Sequence, residues 1–362
     1  MDIQNTQIFF FLLLISTIIN YLILSNYNLI SKIIGAIDKP DNLRKTHKKK
    51  TPLTASYPLA ILFLTLIIFD SYINLFDQDT KKILIISLCF FLIGLIDDKF
   101  DLTPFSKIFL LSLTLFLGLE NNSFLVINKI FFSHTTSFFF LKDYYLIFTI
   151  ICVLLLVNAI NMSDGINCLA AGIIFFCILY LYLTFNNNFN IFLIIILINI
   201  LIIAPSIYMG NQFLGNSGSL FLSGFLSLII IYYVNLYWFE NINNNNWSLN
   251  IKIGAENIFI ILMIPGIDML RLFIFRILKK KNPLKGDSNH LHHYLIKTYG
   301  LNKSLVFYYL LMNVPILFSL YSKFPKYLII FITIFFYSIF LFFLKRLINV
   351  KINKNFKLKK KL

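Results

Sequence analysis

Long apolar runs dictate what this chain can be. Eleven of them, at residues 7–31, 52–69, 83–96, 105–119, 144–160, 168–185, 189–208, 218–239, 255–278, 304–321 and 327–344, are separated by short polar connections. Several are just long enough to cross a hydrocarbon core of ~30 Å, where only helices or closed barrels satisfy their own backbone hydrogen bonds. With 58% of residues hydrophobic and 13% charged, a soluble domain is excluded. The reading is an all-α polytopic membrane protein with about 11 transmembrane helices. It forms a single integral-membrane domain, 1–345, with a basic tail, 346–362. The first run has no basic stretch before it and no small-residue cleavage site after it, so it is read as a retained helix. Region 120–143, apolar clusters broken by polar residues, reads as an external excursion with a short hairpin.

Charge supplies an orientation. With the N-terminus outside and the helices alternating, 25 of the 32 basic residues fall inside, in 32–51, 97–107, 271–303 and 345–362, and seven fall outside. That is the positive-inside bias, and it makes the C-terminus cytosolic. The net charge of +16 therefore belongs to membrane-flanking loops, and no nucleic-acid partner is expected. Cys89, Cys152, Cys168 and Cys177 lie in or beside apolar runs, with neither metal spacing nor a disulfide framework.

In this topology the unusual polar residues collect at the cytosolic side. In Val157–Asn167, a spacing of three places Asn158, Asn161 and Asp164 on neighbouring rows of one helical face, and Gly165 permits a turn. The bland reading is an Asn-rich loop. Asp97 and Asp98 repel one another and need a cation or a proton, and magnesium with phosphate suits such a pair. The alternative is an N-cap cluster for the next helix. The turn Phe213–Ser219 is rich in small residues whose N–H groups suit a phosphate at a helix N-terminus, or it is an ordinary connection. Asp268 lies inside the ninth run and is a functional candidate, or a partner that merely neutralises Arg271 one turn on. Three of the five histidines, His290, His292 and His293, follow in one short stretch. Imidazoles donating to a pyrophosphate fit it better than a metal cluster, which lacks a Cys or distant His partner. In loop 32–51, a plain basic anchor accounts for the Lys run but not for the placing of Asp38, Pro40, Arg44, Lys45 and His47.

Taken together, in order over residues 35 to 300, these motifs resemble the polyprenyl-phosphate N-acetylhexosamine-1-phosphate transferases of glycosyl transferase family 4. The superfamily also holds the phospho-N-acetylmuramoyl-pentapeptide transferase. Asp38, Pro40, Arg44, Lys45 and His47 match the family's Asp-x-Pro…Arg-Lys-x-His loop. Asp97 and Asp98, with Lys107 following, match its Asp-Asp motif. Asn158, Asn161, Asp164 and Gly165 match Asn-x-x-Asn-x-x-Asp-Gly, and the His-x-His-His form points to the N-acetylglucosamine-type branch.

The resemblance implies transfer of a sugar-1-phosphate from a cytosolic UDP-N-acetylhexosamine to polyprenyl phosphate in the plasma (inner) membrane, releasing UMP and requiring Mg2+ or Mn2+. It leaves a homodimer open. Implied catalytic residues are Asp97, Asp98, Asp164, His290, His292 and His293. Implied substrate-binding residues are Arg44, Lys45, His47, Lys107, Asn158, Asn161, Phe213 and Asp268, with Phe213 stacking on uracil. Asp97, Asp98, Asp164 and Asn216 are the implied metal ligands. The sequence departs from the family at Asn216, where an Asp is usual, at Cys168, where a Gly is usual, at Ser56-Tyr57 in place of Gly-Gly, and at Asp287-Ser288 in place of Asp-Arg. Another UDP-amino sugar, or a degenerate family member, is the alternative these departures suggest. A transporter would place ionisable residues at mid-membrane and repeat its broken helices, a pattern not seen here.

Overall fold

Runs of Leu, Ile and Phe bounded by Ser, Thr, Asp and Pro make helices with defined starts. Asp77 caps one by accepting from Thr80 N at 3.1 Å. Thr103 caps the next by accepting from Ser106 N at 3.2 Å, with Pro104 preset for the first turn. The computed structural model describes residues 3–39, 49–74, 76–120, 124–133, 138–185, 190–243, 253–282 and 289–359. Among them are twelve α-helices: α1 (Ile3–Ile34), α2 (Tyr57–Ile73), α3 (Gln78–Phe100), α4 (Pro104–Leu119), α5 (Tyr145–Ser163), α6 (Leu169–Thr184), α7 (Asn190–Tyr208), α8 (Gly215–Asn243), α9 (Ala255–Leu278), α10 (Leu291–Tyr299), α11 (Leu301–Tyr321) and α12 (Lys326–Lys359).

Each of the eleven apolar runs carries one helix, and α10, with nine residues, is the addition. Six helices, α1, α5, α8, α9, α11 and α12, are long and apolar enough to cross a membrane by length and composition, and α2, α4, α6 and α7 are shorter apolar helices. α3 escapes that description because acidic and basic residues crowd both its ends. The protein is an all-α polytopic membrane protein. Its large outward-facing side chains, such as Phe331, Phe335 and Phe342 on α12, are apolar, as a lipid solvent demands.

The helices fall into two compact units, 1–252 and 253–362. In the first, α3 and α8 pack most intimately. Rings of Phe63, Phe192, Phe221 and Phe225 fill the space beside them, with centroids of Phe63 and Phe221 4.9 Å apart. The membrane-length stretch of α8 is 83% buried, against 22–44% for the other five long helices, so α8 is the shielded centre of its unit. Asn20 of α1 and Asn199 of α7 hydrogen-bond to each other in the interior.

Two small antiparallel pairs complete this unit. β1 (Ile37–Asp38) pairs with β2 (Thr51–Pro52) and ties the end of α1 to the start of α2. β3 (Lys129–Phe131) pairs with β4 (Phe138–Phe140), which is the hairpin anticipated in 120–143. Phe131 of this hairpin stacks on Trp238 of α8 at 4.1 Å and 8°. In the second unit α9, α11 and α12 pack together, with α10 against α11 and α12.

Candidate functional site

The acidic end of α3 is placed by a glycine. A Cβ on Gly94 would meet Ser217 Cα and lie 2.6 Å from Asn216 O, so the first turn of α8 can lie on α3 only because position 94 has no side chain. One turn further along the same face, Asp98 reaches that first turn. Its Oδ1 accepts from Asn216 N at 2.8 Å and its Oδ2 from Ser217 N at 2.9 Å. Gly215 completes the arrangement with a φ of +66°, and a Cβ there would lie 2.7 Å from Asp98 Oδ2. Asp98 is thus the cap of α8, supplied from another helix. Two readings that the sequence left open bear on this contact, the acidic pair as a cap being the alternative one. The acidic pair does not cap α4, which Thr103 does, and the amides of Asn216 and Ser217 are not waiting for a phosphate, because a carboxylate already occupies them.

Around this contact the motifs gather. Asp97 is buried; its Oδ2 pairs with Lys107 Nζ at 2.5 Å and its Oδ1 accepts from Leu102 N at 2.9 Å. Lys107 also donates to Asn216 Oδ1 at 3.4 Å. Ser219 Oγ, one turn into α8, donates to Asn161 Oδ1 at 2.7 Å and brings in the end of α5. Asp164 ends α5, with its N–H on Asn161 O at 3.2 Å.

Asp98 and Asp164 lie beyond the apolar runs 83–96 and 144–160. Burial pushes the Asp98 carboxyl up to about 6 despite its amide donors. Burial, then the charges of Asp98 and Asp38, push Asp164 well above the usual carboxylate range. Asp97 has its countercharge in Lys107, while the charge of Asp98 adds to burial in raising Asp164. Magnesium is commonly held by one or two carboxylates plus substrate oxygens and water, so this pair, with the Asn216 carbonyl beside it, fits a hard divalent cation. Of the four ligands expected from the sequence, Asp97 is paired with Lys107 in this structure.

Other expected residues lie apart. Asn158 Nδ2 turns back to Leu154 O of its own helix, at 2.8 Å. The Phe213 backbone is a strut: its N–H donates to Pro52 O at 2.9 Å, and its carbonyl accepts from Ala55 N at 3.3 Å. Ser56 and Tyr57, at the Gly-Gly position of the family, are buried, and neither hydroxyl has a hydrogen-bond partner among the described residues. Cys168 starts α6 at a φ of +67°, which accounts for the family's preference for glycine there. Arg44, Lys45, His47, Pro40, Asp287 and Ser288 lie outside the described residues.

The second unit assembles the histidines around Asp268. Its Oδ1 accepts from Arg271 Nη2 at 2.8 Å and Tyr337 Oη at 2.7 Å. Its Oδ2 faces His290 Nδ1 at 2.9 Å, and Leu291 N lies 3.2 Å from both oxygens. Asp268 therefore does not offer substrate a bare carboxylate; it fixes the start of α10. The His290 and His292 rings stack at 5.3 Å and 12°. Burial, with the neighbouring His293 and His290, holds His292 well below the ordinary imidazole range, and its Nε2 is buried without a partner among the described residues. Asp268, His290 and His292 offer ligand atoms within 4.8 Å of one another. With each Asp268 oxygen already met by N–H or O–H donors, the group is a hydrogen-bonded assembly. Tyr337 was invisible to sequence reasoning: it lies 69 residues from Asp268 and no motif marks it.

Comparison with known proteins places these geometries. The model of glycosyl transferase family 4 matches residues 80–234, which run from α3 to α8. The undecaprenyl-phosphate alpha-N-acetylglucosaminyl 1-phosphate transferase of Thermotoga maritima is 26% identical over 325 residues, 90% of this chain and 94% of its own. A probable undecaprenyl-phosphate N-acetylglucosaminyl 1-phosphate transferase of Bacillus subtilis is 26% identical over 337 residues, 90% of this chain and 87% of its own. The phospho-N-acetylmuramoyl-pentapeptide-transferase of Petrotoga mobilis is 32% identical over 203 residues, 52% of this chain and 62% of its own. The matched span contains the whole Asp97–Asp98–Asn161–Asn216 assembly, and the relatives extend the likeness across nine-tenths of the sequence: residues 80–234 are similar to glycosyl transferase family 4, and the chain as a whole to transferases of that kind.

Proposed function

We propose that this protein transfers N-acetylglucosamine-1-phosphate from its UDP derivative to undecaprenyl phosphate, giving undecaprenyl-diphospho-N-acetylglucosamine and UMP. The observation that carries the reading is the meeting of Asp98, Asn161 and Asn216 at the first turn of α8, in a chain whose relatives are named for this transfer. An oxygen of the acceptor phosphate forms a bond to the phosphorus that bears the sugar, and the bond from that phosphorus to UMP breaks. The acceptor phosphate, with a second pKa of ~6, is already largely ionised, so no strong base is needed. Lys107, held by Asp97, presents a cation to incoming phosphate oxygens. Asn161 and Asp164 are assigned to the uridine end; in the second unit, His290, His292 and His293 are assigned to phosphate oxygens. Mg2+ or Mn2+, held by Asp98, Asp164 and the Asn216 carbonyl, would neutralise the charge of two phosphates brought together.

The same reading places eleven spans in the plasma membrane, the N-terminus outside and the sites facing the cytosol, on the strength of the 25-to-seven distribution of basic residues. Residues 1–345 act as one transferase domain, with 346–362 a basic cytosolic tail. The test is UMP release by the purified protein with undecaprenyl phosphate, magnesium and a panel of UDP-amino sugars. Release that needs lipid, metal and Asp98, and is lost in Asp98→Asn, is the expected outcome. If no donor works until Asn216→Asp restores a carboxylate, the chain is a degenerate member instead. A donor other than UDP-N-acetylglucosamine working best would reassign the sugar.

A further inference from the structure

Donors surround the Asp268 carboxylate on every side the structure describes. Arg271 is charged at all working pH values and spans three partners, donating to Asp268, to Asn289 O at 2.7 Å and to Tyr337 Oη at 3.2 Å. Tyr337 is fully buried on α12 and passes its hydroxyl hydrogen to Asp268. An ionised carboxylate accepts and never donates, so the 2.9 Å contact with His290 Nδ1 requires the hydrogen to sit on Nδ1. The opposite tautomer would set a nitrogen lone pair against a negative oxygen. When His290 is neutral, its Nε2 is therefore bare. Among the described residues His292, stacked beside it, has no such hydrogen bond to a carboxylate, so the two imidazoles are chemically unlike.

We propose that Asp268 is a positioning residue that locks His290 in its Nδ1–H tautomer, leaving Nε2 to meet substrate, and that Arg271 and Tyr337 clamp Asp268 for this task. The neutral ring then accepts at Nε2. After taking a proton from solvent it donates Nε2–H to a phosphate oxygen, with the Asp268 charge sustaining the imidazolium. The catalytic meaning rests on the transferase reading; the tautomer does not. The hub lies beyond residues 80–234, so the family match carries none of it.

The tautomer can be read in the full-length protein in lipid bilayers by 15N NMR of labelled histidine, with the His290 signal among the five identified by its loss in His290→Gln. The expected result is a protonated Nδ1 and an unprotonated Nε2 at His290. Asp268→Asn should shift the ring toward the Nε2–H form and lower kcat ~10- to 100-fold, with KM for the nucleotide sugar changed less than about threefold. Tyr337→Phe, a milder change, should keep the tautomer and lower kcat by about a third of that range on a logarithmic scale. An Nε2–H form in the native protein overturns the proposal, as does Asp268→Asn with unaltered kcat. If Asp268→Asn fails to fold, unaltered kcat in Tyr337→Phe overturns it. A native protein that shows the Nδ1–H tautomer but releases UMP from no donor would remove the transferase reading and leave the lock in place.

Discussion

Cys168 occupies a backbone region that L-residues avoid. Its φ is +67°, and its thiol contacts Ala204 O at 3.1 Å. Cys168→Gly should relieve strain and stabilise the protein by about 1 kcal/mol, seen as a rise in Tm. Asp98 makes a different prediction. Its folded value, about 6, stands above the ordinary 3.8, so folding favours the protonated form and stability is lost as pH rises through 6. A divalent cation binds only the ionised form and reverses that loss. The Mg2+-induced rise in Tm should be larger at pH ~7.5 than at pH ~5, with about half a proton released from Asp98 per ion near pH 6 and close to one near pH 5. Equal rises at both pH values would take Asp98 out of the binding set. At this scale the sequence was informative about identity and poor about partners. The pair Asp97–Asp98 reads as two equivalent acids, yet one is matched by Lys107 and the other by peptide N–H groups 118 residues away.

Among elements, the seam between α3 and α8 decides where the acids sit. Gly94→Ala puts a methyl against backbone atoms of Asn216 and Ser217, which cannot swing aside as a side chain can. Overpacking of this kind costs ~1–3 kcal/mol, and the displaced α8 loses both hydrogen bonds to Asp98. The expected outcome is a lowered Tm together with activity lost well beyond the loss of folded protein. Hydropathy located every long helix because membrane burial writes itself as uninterrupted apolar runs. It could not locate α10, nine residues carrying His292, His293 and Lys297, whose helical state comes from packing against α11 and α12. Nor could it find the seam: a glycine in an apolar run looks alike whether it faces lipid or another backbone.

For the whole molecule, the distribution of basic residues predicts which connections face the cytosol. In a background freed of the four native cysteines, Lys323→Cys should react with a membrane-impermeant maleimide applied to intact cells, and Lys279→Cys should react only after lysis. The reverse pattern would invert the topology and move the proposed site to the other face. The central helix adds a consequence of its own. With 83% of its membrane-length stretch covered by protein, α8 meets almost no acyl chains, while α1 and α12 meet many. Hydrophobic mismatch acts by tilting helices that touch lipid. Changes in bilayer thickness should therefore tilt the periphery while leaving the first turn of α8, and the carboxylate bound to it, undisturbed, so that one chain can keep its chemistry in membranes of unlike thickness.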